Sequence, residues 1–271
     1  MLKENLSIHS RVRICMKAVI CAAGQGKRLK PLTKEYPKAL LPLGGKTIIE
    51  HILDALSENG IREVVVVVGY KAEKVKKKIG THYKNCRITY VYNAEFKNTN
   101  NMYSLWLARK YIKNGMIFFN ADTVFHPKIL RKVLASKYEN CFIMSPKIEI
   151  LADAMKVRTR KGRMEAIGKT ITGRVHGEAF GIYKVSQNAA KAYFKTVTVL
   201  LKEKGQEEDG DRGKGGYRNG SFVIPLQRLA DTIPLMTVSS GTYPWVEIDI
   251  PDDYRRAKKI IKDIADRNPA S

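Results

Sequence analysis

The chain has 271 residues, 44% of them hydrophobic and 28% charged, which suits a folded domain and excludes disordered or collagen-like classes. Lys and Arg number 49 against 26 Asp and Glu, a net charge of +23 that points to an anionic partner or to a lysine-rich surface. The basic runs at 71–78, 156–163 and 255–262 are dispersed and read as solvated faces, so nucleic acid is not expected among the partners. No apolar run approaches the roughly 20 residues of a membrane helix, and no cleavable leader is visible, so a soluble cytoplasmic protein is expected.

Residues 1–15 read as an appended arm, and 16–271 as a single domain with a nucleotide-binding part at about 16–150 and an acceptor-binding part at about 151–271. A strand at 17–23 leads into a Gly/Lys/Pro loop that runs to Leu43. Apolar spacing through Ile48, Ile49, Ile52, Leu53 and Leu56 predicts a helix over 47–58, capped by Thr47 and closed by Gly60. The β-branched run 63–68 predicts a strand buried on both faces. A short basic helix at 72–79, a strand at 87–92, a helix at 101–112, a strand at 116–120, a helix at 127–136 and a strand at 141–146 follow. This alternation predicts an α/β fold with a doubly wound, mostly parallel, Rossmann-like sheet. Beyond it the pattern changes to an antiparallel C-terminal elaboration: a hairpin at 155–167 turning at Lys161-Gly162, and a strand at 177–184. A helix at 186–202, a glycine-rich loop or lid at 202–220 and an amphipathic helix at 251–266 complete the reading.

Cys15, Cys21, Cys86 and Cys141 form no CxxC pair and the histidines are scattered, so buried free thiols are expected rather than a Cys/His metal site. The informative segment directly follows the first strand: Ala22-Ala23-Gly24-Gln25-Gly26-Lys27-Arg28-Leu29, then Pro31-Leu32-Thr33 and Pro37-Lys38. Glycines after a buried strand let backbone N–H groups approach an anion, and Arg28 and Lys38 add positive charge. Gly24 and Gly26 lack the third glycine of a dinucleotide fingerprint. Gly44-Gly45-Lys46-Thr47 ends like a Walker A loop, but Leu40 stands where its first glycine belongs. Asp122 lies at the carboxyl end of the strand 116–120, where α/β sheets bind ligands.

The first segment resembles the signature of nucleotidyltransferases that join an NTP to a phosphorylated small molecule, with Lys27 where Ser or Thr is common. Asn98 to Ala108, containing Asn100-Asn101-Met102-Tyr103-Ser104-Leu105, is similar to a segment of cytidylyltransferases acting on phosphocholine, aminoethylphosphonate or inositol phosphate. Glu247-Ile248-Asp249-Ile250-Pro251 resembles a further family segment. The resemblance implies a Mg²⁺-dependent enzyme whose partners are CTP and a phosphorylated alcohol, polyol or amine, with self-association left open. Arg28 and Lys38 would act on the phosphates, and Ala22, Ala23, Gly24, Gly26, Lys27, Asn101 and Ser104 would seat the nucleotide. Asp122 and Asp249 would hold the metal, and Lys156, Glu178 and Glu247 would meet the acceptor. Asn100 and Asn101 also read as helix caps, and Lys156 and Glu178 as surface charges on a hairpin. At Tyr217-Arg218-Asn219-Gly220 the phosphocholine-type relatives carry acidic residues, so a neutral or anionic acceptor is expected over a quaternary ammonium. A sugar-1-phosphate nucleotidyltransferase using UTP, dTTP or GTP, and a catalytically silent regulatory relative, are the alternatives.

Overall fold

The computed structural model describes residues 16–146, 153–203 and 216–267. In its first half lie β1 (Lys17–Ala22), β2 (Pro42–Leu43), β3 (Lys46–Thr47), α1 (Ile48–Glu58), β4 (Glu63–Val68), α2 (Ala72–Ile79), β5 (His82–Tyr83) and β6 (Cys86–Tyr92). They are followed by α3 (Asn101–Leu107), β7 (Met116–Asn120), β8 (Thr123–Phe125), α4 (Pro127–Ala135) and β9 (Cys141–Ser145). The second half contributes β10 (Lys156–Arg160), β11 (Arg163–Gly168), β12 (Gly177–Val185), α5 (Gln187–Leu200) and α6 (Val223–Arg228). It ends with β13 (Met236–Ser239), β14 (Trp245–Glu247) and α7 (Pro251–Arg267).

Ten strands form one mixed sheet in the order β10-β11-β13-β9-β12-β7-β1-β4-β6-β5. Its centre is parallel, β7-β1-β4-β6, as the continuous apolar runs require of strands covered on both faces. Val64 to Val68 are all buried. β12 is antiparallel to β7 and to β9, and β10 pairs with β12 as well as with β11, so the second-half strands and β9 close on themselves. This is the α/β core with antiparallel elaboration expected from the sequence. α1 opens with a capping box in which Thr47 donates both its N–H and its hydroxyl to Glu50 Oε2 at 2.7 Å.

Local pattern misses several features. The helix expected over 101–112 is α-helical only to Leu107 and tightens into a 3₁₀ turn at Ala108–Tyr111. α6 and β13 lie outside the predicted elements because they are short and packed by distant neighbours. β8 and β14 pair antiparallel, Thr123 opposite Glu247, and three-residue strands so far apart leave no periodicity to read. That small ribbon matters most for the site. With Leu29, Leu41, Leu43 and Ile48 it encloses Val124, Val246 and Ile248, and α7 covers this cluster through Tyr254 and Ala257. The glycine-rich loop expected at 202–220 lies partly outside the described residues; its end forms a 3₁₀ turn at Gly216–Asn219. Residues 1–15, the expected arm, are likewise outside them. Among the described residues no helix is long and apolar enough to cross a membrane. Cys86 and Cys141 are buried free thiols, whereas Cys21 is only partly buried.

Candidate active site

The loop after β1 is shaped by its glycines and by Thr33. Gly26 adopts φ of 60°, a left-handed conformation, and a Cβ there would meet Thr33 Cγ2 at 3.0 Å. The buried Thr33 donates its hydroxyl to Gly26 O at 2.8 Å, which pins the turn. A 3₁₀ turn at Lys38–Leu40 buries Ala39 and Leu40, and so drives Lys38 inward. Its ammonium donates to Asp122 Oδ2 at 2.7 Å and to Asp249 Oδ1 at 2.9 Å. Arg28 meets the other oxygen of Asp249 at 2.9 Å. Residues separated by more than 200 positions are thereby joined at the carboxyl ends of β1 and β7, the edge at which α/β sheets bind ligands.

Asp253 fixes Asp249 from behind: its carboxylate accepts the backbone N–H groups of Asp249 and Ile250 at 3.0 and 3.1 Å, capping α7. Glu247 accepts the Gly181 N–H at 3.0 Å, and the Thr123 hydroxyl lies at 3.5 Å. Burial and the neighbouring Asp122 carboxylate push Glu247 up to about 8. Burial works against charge on Asp249 as well, but Lys38 and Arg28 outweigh it and hold the group below its ordinary value. Burial likewise opposes charge on Lys38, and the two aspartates outweigh it to raise its pKa.

Two cavities meet at Asp122. The smaller, about 160 Å³, is bounded by Ala23, Gly24, Asn93, Phe96, Asn101 and Ser104 among others. The larger, about 370 Å³, is bounded by Arg28, Lys169, Phe180, Tyr183, Glu247 and Asp249 among others. Both share Asn100, Asn101, Asn120 and Asp122. A narrow space lined by Ala22, Gly24, Lys38 and Asp122 connects to them.

The structure thus brings together Ala22, Ala23, Gly24, Arg28, Lys38, Asn101, Ser104, Asp122, Glu247 and Asp249. Gly26 and the exposed Lys27 shape the loop without bordering these cavities. Lys156 and Glu178 face each other in register across β10 and β12 and do not border the larger cavity either. Asn100 caps α3 by accepting the Asn101 N–H at 2.7 Å, while the Asn101 side chain accepts the Phe222 N–H at 2.9 Å and donates to Asn120 at 3.3 Å. Ser104 accepts from the buried Asn93 amide at 3.1 Å. Sequence reasoning missed Asn93, Asn120 and Lys169. Asn120 was legible in principle, as a polar residue ending an apolar strand; Lys169 was lost among the many lysines.

The donor set fits Mg²⁺. Asp122 Oδ1 is buried without a hydrogen-bond partner, an orphaned hard oxygen beside a second carboxylate. Among the described residues no group of three or more His, Cys, Asp or Glu side chains is arranged to hold a metal alone. One or two carboxylates completed by substrate phosphates is the usual arrangement for this cation.

Residues 17–147 match the family model described as nucleotidyl transferase. A CMP-5'-(3-aminopropyl)phosphonate synthase of Streptomyces rubellomurinus is 33% identical over 256 residues, covering 94% of this chain and 40% of that protein. A bifunctional IPC transferase and DIPP synthase of Aquifex aeolicus is 29% identical over 248 residues, covering 90% of this chain and 51% of that protein. The chain therefore spans about half or less of the length of these curated relatives. A solved inositol-1-phosphate CTP transferase from T. maritima shares the fold, with a TM-score of 0.71 at 24% identity over 92% of this chain and 96% of that one. The chain belongs to the nucleotidyltransferase (NTP-transferase) superfamily.

Proposed function

We propose that this chain transfers a CMP group from CTP to the phosphate or phosphonate of a small alcohol, polyol or amine, releasing pyrophosphate. The observation that carries the reading is the Lys38 ammonium held between Asp122 and Asp249 where the two cavities meet. The name of the Streptomyces relative, which joins CMP to a phosphonate, supports cytidylyl transfer and a phosphorus-bearing acceptor. The smaller cavity has the polar lining of a nucleoside site, and the larger combines Arg28 and Lys169 with Glu247 and aromatic walls.

An acceptor phosphate is largely dianionic near neutral pH, its second pKa being about 6, and needs no general base. Its oxygen forms a bond to the α-phosphorus as the bond from that phosphorus to the β-phosphate bridging oxygen breaks, and pyrophosphate leaves in line. Lys38 would neutralise the α-phosphate and the incoming oxygen, and Arg28 would hold the departing phosphates. Asp122 and Asp249 would hold Mg²⁺, which when bound neutralises phosphate charge. Asn101 orders the wall between the cavities. A cytoplasmic location belongs to this proposal.

The test is pyrophosphate release from CTP and Mg²⁺ with a panel of phosphorylated alcohols, polyol phosphates and aminoalkylphosphonates. One acceptor class should yield pyrophosphate equal to the CTP consumed. Turnover with a sugar 1-phosphate and UTP, dTTP or GTP instead would replace the acceptor and base assigned here.

A further inference from the structure

Arg218 lies in the 3₁₀ turn at Gly216–Asn219, and its partner comes from a distant stretch of the chain. Its guanidinium pairs with Glu95, whose other carboxylate oxygen accepts the Tyr103 hydroxyl at 2.9 Å. The guanidinium also lies over the Tyr103 ring, 5.3 Å from its centroid. Its carbonyl oxygen accepts the Asn100 N–H at 3.1 Å.

Each end of this bridge is tied to a different cavity. Glu95 sits in a loop held by Asn93: the Glu95 N–H donates to Asn93 Oδ1 at 3.0 Å, and the Asn93 amide donates to Thr99 and Ser104 at 3.0 and 3.1 Å. Asn93, Thr99 and Ser104 line the smaller cavity. Arg218 belongs to the stretch whose neighbours Asn219, Ser221 and Phe222 line the larger one. Neither Glu95 nor Arg218 borders either of these two cavities.

We infer that Arg218 is a positioning residue that couples the two cavities: through Glu95 and Tyr103 it docks the acceptor wall at 216–222 onto the nucleotide loop at 93–104. Ordering the loop around a nucleotide then favours the acceptor-competent wall, and by linkage the acceptor favours nucleotide. This rests on reading the smaller cavity as the nucleotide site. The pair is about half exposed, so its contribution is modest, about fivefold at most in an equilibrium. The charge at position 218 thus serves the wall rather than the ligand.

Amide hydrogen exchange read by mass spectrometry tests this with Mg·CTP as the probe, on the full chain and on Arg218→Ala, Glu95→Gln and the swapped pair Glu95→Arg with Arg218→Glu. In the parent protein CTP should slow exchange in both 93–104 and 216–222. In each single variant the response of 93–104 should persist while that of 216–222 falls, by up to about fivefold, and the swap should restore part of it. A merely structural role would speed exchange equally with and without CTP. A wall response in Arg218→Ala equal to the parent's would overturn the coupling alone. If CTP slows neither segment in any protein, the nucleotide reading fails and the coupling with it.

Discussion

Replacing Lys38 by Met keeps the aliphatic stem and removes only the charge, so it isolates the junction of the site. Two carboxylates 2.7 and 2.9 Å from the ammonium each gain roughly 6 kcal/mol of gross attraction at an effective dielectric constant of 20. Desolvation offsets most of this, and removing one partner of a buried pair costs about 3–5 kcal/mol. Asp122 and Asp249 keep 27% and 32% of their side-chain exposure and Arg28 still contacts Asp249, so a loss of about 3 kcal/mol is expected. The pH dependence has a definite sign. Asp249 is held below its ordinary value, so its share is present above the unfolded pKa of about 4 and is lost as pH falls through the folded one. Lys38 is raised, so its share persists up to about pH 10 and disappears only as pH rises through the folded value. Urea unfolding of Lys38→Met and the parent should differ by about 3 kcal/mol at pH 7, and the gap should narrow as pH falls below about 4. A gap below about 1 kcal/mol at pH 7, or one that widens in acid, would refute this reasoning.

Asp122→Asn and Asp249→Asn should each lower turnover by about 10²-fold or more while leaving circular dichroism unchanged; near-parent turnover in either contradicts the assigned roles. Glu247 is raised in the folded state, so the parent should lose stability as pH rises from about 5 through 8. Denaturation of Glu247→Gln across that window should lack this slope. A Cβ at Gly24 meets nothing within 4 Å, and Gly24 lines the candidate nucleotide cavity. Gly24→Ala should therefore keep stability within about 0.5 kcal/mol and weaken Mg·CTP binding in a calorimetric titration. At Gly181 a Cβ would stand 2.3 Å from the buried Thr123 hydroxyl, so Gly181→Ala should cost about 1–3 kcal/mol in thermal or urea unfolding.

The parallel core was legible because its signals are local. Val64 to Val68 announce a covered strand, and Thr47 announces the start of α1. The signature loop was legible for a different reason, since Gly26, Arg28 and Lys38 fall within one short stretch. What brings Lys38 to Asp249 is a pairing of two three-residue strands, β8 and β14, together with the apolar cluster beneath α7. Such contacts are created by tertiary packing and leave no period in the chain. The same holds for Asn101, whose side chain joins Asn120 to the Phe222 backbone rather than serving only as a cap. Lys156 and Glu178 were placed by resemblance, and they pair across β10 and β12 while their neighbours Met155 and Ala179 line the larger cavity. Arg218 looked like a simple loss of negative charge until Glu95 came into contact with it.

The central claim is that the cleft at Asp122 binds CTP beside a phosphorylated acceptor. Isothermal titration of the chain with the Mg²⁺ complexes of CTP, UTP, dTTP, GTP and ATP tests it without any choice of acceptor. The account predicts that CTP binds at least about tenfold more tightly than the others, a difference of about 1.4 kcal/mol, and that Gly24→Ala weakens that binding. Preference for another nucleotide, or heat from none of the five, would contradict it.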